Sequence, residues 1–399
     1  MIFRKTMNNI IVVTIVLSLL LILGGCETGS PSDSDKENPI KIGAIIDYTG
    51  DVAERGPEVE ETLKLILEEV NYKVAGRPIE LLIEDGGSTV DVSLDKARKL
   101  VEVDGVEIIV GPLMGGVQYG VAPYLAENNI TFFSLNNLNP AIIEQYENGI
   151  GFPSMNTKAY SSGGYYLYDQ LGITKIATVG SDYVAGYDYI GSVVAPFKDR
   201  GGIVVSEQWA PVGEIDFAPY LSNLINSDAE AVVVFYAGTV STSLFIQQAK
   251  EYNLDMPIII LNAGGSMTAE SVQELGTIMD NHIGIDTYTW RTENPTNKTY
   301  VESFENKYGK KPITIQTNAY ADMMIILAAL EKTNGDTSIE ALRPAILDLE
   351  IDLPHGKYTF TPEGYGVGTQ FLMKISENDG EYYWDVMATY FGETFTEVK

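Results

Sequence analysis

Short apolar runs alternate with amphipathic stretches along the first half of the chain after residue 39. Continuous Ile/Val runs of this length are typical of strands buried on both faces, and apolar residues at helical spacing between them predict helices. The predicted strands cover 40–46, 79–83, 107–110 and 131–134, and the predicted helices between them cover 59–70, 90–101 and 117–127. Strand and helix in regular alternation predict a parallel sheet with helices on both faces.

The same alternation begins again in the second half. Strands are predicted at 175–179, 203–206, 231–235 and 257–261, with helices at about 187–200 and 241–252. Two similar α/β lobes in one chain place a cleft between them. Ligands of open α/β sheets bind beyond the carboxyl ends of the strands, where this chain has loops rich in Gly, Asn, Thr and Tyr.

Residues 1–25 do not fit this pattern. A positive start at Arg4 and Lys5 precedes a 14-residue apolar run that ends in Leu-Gly-Gly before Cys26. The run is too short to span a bilayer and is typical of a secretory signal peptide. Its end resembles the lipobox of bacterial lipoproteins, which implies cleavage before Cys26 and lipidation of its thiol. Residues 26–39 carry no apolar pattern and are predicted to be a flexible tether.

The charge balance excludes several classes of function. The 399 residues contain 26 Lys+Arg and 55 Asp+Glu, a net charge of −29, which disfavours binding to nucleic acid. Without residues 1–25 the net charge would be −31. One cysteine allows neither an intramolecular disulfide nor a thiolate zinc site. The two histidines, His282 and His355, have no partner at ligand spacing, and we expect surface or turn positions for both.

Motifs for phosphate-binding loops, zinc proteases and serine hydrolases are absent from the sequence. A Gly-rich segment at 111–116 follows a predicted strand and opens a predicted helix. Backbone amides at a helix N-terminus suit an anion such as a carboxylate, although an ordinary strand–helix turn has the same appearance.

Tyrosines are a second candidate feature. The chain has 24 of them, and Tyr48, Tyr183, Tyr187 and Tyr236 lie in or beside the strand-end loops. An apolar ring with a polar tip suits a ligand cleft, and ordinary rim packing would use the same residue type.

An ordered set of segments resembles the type 1 periplasmic binding proteins, and within them the branched-chain amino-acid receptors of ABC transporters. The segments are Lys41–Ala44, Thr49–Asp51, Val110–Leu113, Ser181–Gly186, Asp216–Leu221, Phe245–Ala249, Asn294–Pro295, Lys307–Gly309 and Ala319–Asp322. The resemblance extends over about 40–399. It implies two doubly wound parallel-sheet lobes joined by three hinge crossovers, closing on a small solute.

The resemblance also implies lobe boundaries. Lobe 1 would consist of 40–155 and 287–362, and lobe 2 of 156–286 and 363–399. The crossovers are expected near 153–157, 284–290 and 356–364, with 369–390 returning to lobe 2 as strands.

The ligand-binding positions that the resemblance implies lie in the strand-end loops of both lobes. They are Thr49, Arg55, Met114, Gly115, Gly116, Asn136, Asn137, Leu138, Tyr183, Tyr236, Ala237, Gly238, Asn262, Ala263 and Gly264.

Four of these positions depart from the amino-acid receptors. Gly115 and Leu138 stand where those receptors have hydroxyls for the α-carboxylate and ammonium, and Ala263 stands near the position of the acid that pairs with the ammonium. Arg55 replaces an aromatic residue. An unpaired buried ammonium is costly, so these changes favour another carboxylate, such as an aromatic acid, over a plain amino acid.

The sequence therefore predicts a non-enzymatic, lipid-anchored, extracytoplasmic solute receptor of an ABC importer. Its partners would be a small solute, a membrane permease and the membrane itself, through lipid on Cys26. We expect a monomer with no cofactor or metal. A sensory receptor, a receptor for amides or urea-like solutes, and an extracytoplasmic enzyme using Asp47, Glu84 or Asp85 remain as alternatives.

Overall fold

A computed structural model describes residues 38–398 apart from 136, 137, 139 and 151–159. Several sequence predictions lie outside these residues: the signal peptide, Cys26, most of the tether, Asn136, Asn137 and the first crossover. The described strands are β1 Ile40–Ile46, β2 Lys73–Val74, β3 Arg77–Asp85, β4 Ile108–Val110, β5 Thr131–Phe133, β6 Gly149–Ile150, β7 Lys175–Ser181, β8 Ile203–Ala210, β9 Ala231–Phe235, β10 Ile258–Leu261, β11 Ile283–Asp286, β12 Ile351–Leu353, β13 Gly356–Phe360, β14 Gly366–Asn378, β15 Glu381–Phe391 and β16 Thr394–Glu397.

The described α-helices cover the sheets on both faces. They are α1 Arg55–Glu69, α2 Val90–Arg98, α3 Gly115–Glu127, α4 Pro140–Gln145, α5 Ser161–Tyr165, α6 Val184–Asp199, α7 Ala218–Ile225, α8 Thr239–Glu251, α9 Ala263–Ser266, α10 Ala269–Leu275, α11 Pro295–Tyr308, α12 Thr314–Lys332 and α13 Ile339–Leu347. Each strand and helix that the apolar pattern predicted is present, with ends that differ by a few residues.

The first lobe is built on the sheet β2–β3–β1–β4–β5–β6, which is parallel except for β2. β1 lies inside this sheet, and both of its faces are covered. Ile42 and Ile46 pack with α1 and α12, whereas Ile45 packs on the opposite face with α2 and α3. This two-sided burial explains why β1 is a continuous apolar run rather than an alternating one.

The second lobe contains the parallel strands β8–β7–β9–β10–β11, extended by the antiparallel strands β14, β15 and β16. Its two apolar cores lie on opposite faces of the sheet, one around Phe245 and Leu221 and the other around Phe197 and Val193. Both lobes have the α/β, mostly parallel architecture that the sequence predicted.

Two crossings between the lobes fall within the described residues. Residues 287–294 lead from β11 to α11, and Tyr288 already packs in the first lobe's core. The other crossing runs along β14, whose start pairs with β13 at Gly368 and whose middle pairs with β11 at Met373. It therefore lies a few residues beyond the predicted 356–364, because the β12–β13 hairpin still packs on the first lobe through Tyr358.

The loop between β4 and α3 begins at a position that requires glycine. Gly111 has φ +97°, and a Cβ there would overlap the carbonyl of Ile45 on the neighbouring strand. Only glycine allows this close approach of two backbones. The loop is thereby held against β1, and α3 starts at the edge of the sheet where the parallel strands end.

Candidate functional site

A cavity of about 330 Å³ lies between the two lobes. Its walls come from strand ends and helix starts, as expected for α/β sheets. The first lobe contributes Val52, Arg55, Leu113, Met114, Gly115, Gly116, Ile313, Thr314, Ile315 and Asn318. The second lobe contributes Tyr183, Val184, Ala185, Asp188, Tyr189, Phe235, Tyr236, Ala237, Asn262 and Gly265.

Three helices begin at the cavity wall. α3 starts at Gly115, α6 at Val184 and α12 at Thr314, and none of them has an acidic residue in its first turn. The first amides of a helix have no partner inside the helix, and the helix dipole is positive at that end. The helix starts therefore present backbone N–H groups suited to an anion from both lobes.

Gly115 and Gly116 leave the start of α3 open. A Cβ added to either residue would meet no atom within 4 Å. Both residues line the cavity, so the space that a side chain would fill there belongs to the cavity. A ligand can approach these amides without displacing a protein side chain.

Arg55 and Asp188 are the charged side chains in the cavity wall as described. The Arg55 guanidinium lies 3.0 Å from a carboxylate oxygen of Glu58 and 3.9 Å from one of Glu54. These acids offset much of the positive charge of Arg55. Arg55 is therefore partly neutralised where it lines the cavity.

Stacked aromatic rings form part of the second lobe's wall. The rings of Tyr189 and Phe235 are 4.0 Å apart and nearly parallel, and Tyr183 stacks on Phe235 at 6.3 Å. Burial raises the pKa of Tyr183 to about 12, so its hydroxyl is neutral at physiological pH. Together with Leu113 and Met114 opposite, these rings provide an apolar surface for the body of a ligand.

Tyr236 has a different role from the one its sequence position indicated. Its ring packs against Phe217 at 5.0 Å and Phe245 at 5.3 Å in the second lobe's core. The side chain is 1% exposed, and its hydroxyl has no hydrogen-bond partner among the described residues. Tyr236 packs beneath the cavity wall in the core of the second lobe, and its buried hydroxyl is not accessible to a ligand.

The structure brings together eight of the fifteen positions that the resemblance implied. Those that line the cavity are Arg55, Met114, Gly115, Gly116, Tyr183, Tyr236, Ala237 and Asn262. Those that do not are Thr49, Leu138, Gly238, Ala263 and Gly264. Asn136 and Asn137 lie outside the described residues.

Thr49 and Leu138 show why some of these positions are absent from the wall. The Thr49 hydroxyl donates to Asp85 at 2.8 Å and so closes the loop after β1. Leu138 is 1% exposed and packs in the first lobe's core with Ile142 and Ile143. Both residues shape loops beside the cavity.

Sequence reasoning missed several wall residues. Asp188 and Tyr189 lie one turn inside α6, and Asn318 lies one turn inside α12. Asp188 was missed because its helix was predicted to begin only at about 187, whereas α6 begins at Val184 and brings its first turns to the wall. Nothing in the sequence pointed to Asn318, since the start of α12 was not expected at the cleft.

The buried carboxylate of Asp286 stabilises the backbone beside the cavity. Asp286, at the end of β11, accepts hydrogen bonds from the backbone amides of Gly264 at 2.7 Å and Thr287 at 2.6 Å. Burial raises its pKa to about 6. The carboxylate therefore joins the α9 loop to the crossover that leads into the first lobe.

The expectation of a surface position for His355 is wrong. It is 1% exposed, and its Nε2 lies 3.0 Å from Oδ1 of Asn318. Burial lowers the pKa of His355 to about 3, so the ring is neutral. His282 is also largely buried, and burial lowers its pKa to about 4. Tertiary packing placed His355 in the interior and covered part of His282, and local sequence carries no signal of that.

The acids considered for an enzyme are engaged in loop structure or ion pairs. Asp85 accepts backbone amides of Tyr48 and Gly87, each at 3.0 Å, and Asp47 accepts that of Ser88 at 2.7 Å. Glu84 lies 2.7 Å from Lys96 and 2.6 Å from Lys99. None of these acids lines the cavity. The described residues contain no cluster of side chains suited to a metal ion, and no helix among them could span a membrane.

Comparison with known proteins identifies the fold. The profile of a family described as "Periplasmic binding protein" matches residues 39–380. Leu/Ile/Val-binding protein homolog 6 of Brucella suis biovar 1 (strain 1330) is 25% identical over 354 residues, covering 86% of this chain and 90% of that relative.

Two solved structures show the same architecture. An ABC transporter substrate-binding protein from Sphaerobacter thermophilus superposes with a TM-score of 0.81 at 25% identity, covering 89% of this chain and 98% of that one. A solute binding protein of an ABC transporter from Rhodopseudomonas palustris BisB5, in complex with 3,4-dihydroxy benzoic acid, gives a TM-score of 0.77 at 24% identity, covering 89% and 98%.

The family match spans nearly all the described residues and includes both lobes. Proteins of this family bind solutes outside the cytoplasm and are not enzymes. By the extent of this match and by its two-lobed architecture, the chain belongs to the periplasmic binding protein family.

Proposed function

We propose that this protein delivers a small organic carboxylate with a compact apolar body to an ABC importer. One observation carries the proposal: the N-termini of α3, α6 and α12 surround a single cavity between the lobes. The positive ends of these helices favour a carboxylate, and the aromatic wall favours an apolar body.

The relatives support this ligand class. The name of the Brucella relative refers to leucine, isoleucine and valine, and the Rhodopseudomonas protein was solved with 3,4-dihydroxy benzoic acid. Both kinds of compound combine a carboxylate with a small apolar group.

Asp188 supports an α-amino acid as a second candidate within this class. It lines the cavity on α6, near the amides of Val184 and Ala185. A carboxylate in the wall could pair with the ammonium group and so offset the cost of burying it. The acid near Ala263 in the amino-acid receptors is missing here, and Asp188 would take its place.

Ligand would be enclosed by closure of the two lobes about their crossovers, since both lobes contribute to the wall. A closed, loaded receptor is the form that an importer's permease would recognise. The same chain could instead report its ligand to a membrane sensor. A gene for a permease beside this one would support import, and a sensor kinase gene would support signalling.

The protein would be held at the membrane by lipid on Cys26. The acidic chain would be repelled by anionic lipid surfaces, so acyl chains must supply the attachment. Residues 26–39 would then be the flexible tether between the membrane and the first lobe.

The ligand class is tested with the protein of residues 27–399, unfolded and refolded to remove any bound solute. Calorimetric titration would compare benzoate with benzamide, and leucine with 4-methylpentanoate and leucinamide. Binding of one carboxylate at least tenfold tighter than its amide supports the proposal. Preference for the amide, or for a polyol or urea, would contradict it.

The choice between amino acid and simple acid is tested with Asp188→Asn. If the ligand is an α-amino acid, this variant loses roughly tenfold to a hundredfold in leucine affinity and keeps its affinity for 4-methylpentanoate. Asp199→Asn, at the exposed far end of the same helix, is the matched control. Equal affinities of both variants for leucine would exclude an ammonium partner at Asp188.

A further inference from the structure

Asn318 places a side-chain amide in the cavity wall. It lies on α12, one turn after Thr314, and is 2% exposed in the structure. Its Oδ1 is the atom that faces His355. Within the described residues its Nδ2 group donates to no acceptor, although two N–H groups in so buried a position need acceptors.

His355 determines which end of this amide faces the cavity. A carbonyl oxygen can only accept, so the 3.0 Å contact requires that Nε2 of His355 carries the hydrogen. The neutral ring is the state that burial favours. With Oδ1 of Asn318 engaged, Nδ2 is left to point toward the cavity.

The histidine is itself held by the crossover between the lobes. The ring of Tyr288 packs on His355 at 5.3 Å, and the Tyr288 hydroxyl donates to Asn297 at 3.0 Å. Asn297 donates in turn to the backbone carbonyls of Trp290 at 2.9 Å and Thr292 at 2.8 Å. A continuous set of contacts thus connects the 287–294 crossover to a group in the cavity wall.

We propose that Asn318 is a specificity-determining residue, which donates its amide hydrogens to a ligand oxygen, and that His355 is the positioning residue that sets its orientation. The inference rests on the proposed carboxylate ligand and names a first-lobe donor for it. The ligand oxygen supplies the acceptor that Nδ2 lacks in the described chain.

Asn318→Asp and Asn318→Ala test the donor. In Asn318→Asp, His355 would donate to one carboxylate oxygen and the other oxygen would face the ligand. We expect at least a hundredfold loss in affinity for benzoate or leucine, whichever the wild type binds, and a relative gain for the matching amide, benzamide or leucinamide. Asn318→Ala removes the donor without adding charge and should lose about tenfold.

His355→Leu and His355→Gln test the positioning. Leucine cannot donate, so the Asn318 amide is free to rotate and carboxylate affinity should fall about tenfold. Glutamine can donate from Nε2 and should restore most of the affinity and the preference for carboxylate over amide. His282→Gln is the matched control. Nδ1 of His282 accepts a hydrogen bond from the backbone N–H of Ile258 in the second lobe, and His282 lies outside the cavity.

A spectroscopic measurement separates positioning from a general structural role. In ¹⁵N-labelled protein the side-chain amide signals of Asn318 should shift when the carboxylate is added to wild type and His355→Gln, and not to His355→Leu. Circular dichroism and thermal unfolding verify that each variant is folded.

The outcomes distinguish this inference from the proposed function. If the wild type prefers neutral solutes, the proposed function fails and the inference falls with it. If the wild type prefers a carboxylate and Asn318→Asp retains that affinity and preference, only the role of Asn318 is overturned. If the Asn318 variants behave as expected but His355→Leu equals wild type, the positioning role of His355 is overturned.

Discussion

Replacing Gly115 with alanine separates ligand binding from folding. A Cβ at Gly115 meets no atom within 4 Å, and the residue is not in the left-handed backbone region. The folded protein can therefore accept the methyl group without strain. The group would stand in the cavity, beside the first amide of α3.

The two effects should have opposite signs. Glycine to alanine in an unstrained helical position stabilises by about 0.4–1 kcal/mol, and a first-turn residue should lie near the lower value. Binding should weaken because the methyl group blocks approach to the amide. Loss of one hydrogen bond to a charged group costs about 1.5–3 kcal/mol, or roughly tenfold to a hundredfold in affinity.

Gly191 provides a matched control. It lies inside α6, a Cβ there also meets no atom within 4 Å, and it is not part of the cavity wall. Gly191→Ala should stabilise the fold by a similar or larger amount and leave affinity unchanged. Thermal unfolding and calorimetric titration with benzoate and leucine measure both quantities on both variants.

Two results would refute this reasoning. If Gly115→Ala binds the carboxylate as tightly as wild type, the start of α3 is not part of the ligand site. If the variant loses stability together with affinity, the space beside Gly115 is not open as the structure describes it.

Three further predictions concern other parts of the chain. Cys26→Ser should move the protein from the membrane fraction to the soluble fraction with unchanged ligand affinity, and continued lipid labelling of the variant would contradict it. Tyr236→Phe should stabilise the fold by about 1 kcal/mol in thermal unfolding, because it removes a buried hydroxyl that has no partner among the described residues. A loss of stability would contradict this prediction. His355 has a folded pKa of about 3 against about 6.5 unfolded, so below pH 6.5 the unfolded state binds the extra proton and stability falls. Denaturant unfolding at pH 6.5 and 4.5 should therefore show wild type losing about 2 kcal/mol relative to His355→Gln, and parallel pH profiles would contradict the buried, neutral ring.

The regular part of the fold could be predicted because its signals are local. The apolar runs and helical spacing identified the strands and helices of both lobes, and the Gly-rich segment at 111–116 identified the start of α3. These features depend on residues a few positions apart. The third crossover was placed too early because one continuous strand, β14, passes between the lobes without a break.

The candidate site was predictable only where it follows a strand. Gly115, Tyr183 and Asn262 were found for that reason, and they line the cavity. The pairing of Asn318 with His355 joins residues 37 positions apart through tertiary packing, so no spacing in the sequence reveals it. Arg55 lines the cavity as expected, and its ion pair with Glu58, one turn later on the same helix, was not foreseen.

The central claim is that a carboxylate is held between the two lobes by the starts of their helices. A crystal structure of the refolded protein, with the carboxylate that it binds most tightly in titration, tests this claim most directly. We predict that both carboxylate oxygens lie within hydrogen-bond distance of backbone amides at Gly115–Gly116, Val184–Ala185 or the start of α12, with the apolar body against Tyr189 and Phe235. A ligand bound outside this cavity, or one whose carboxylate faces solvent, would contradict the account.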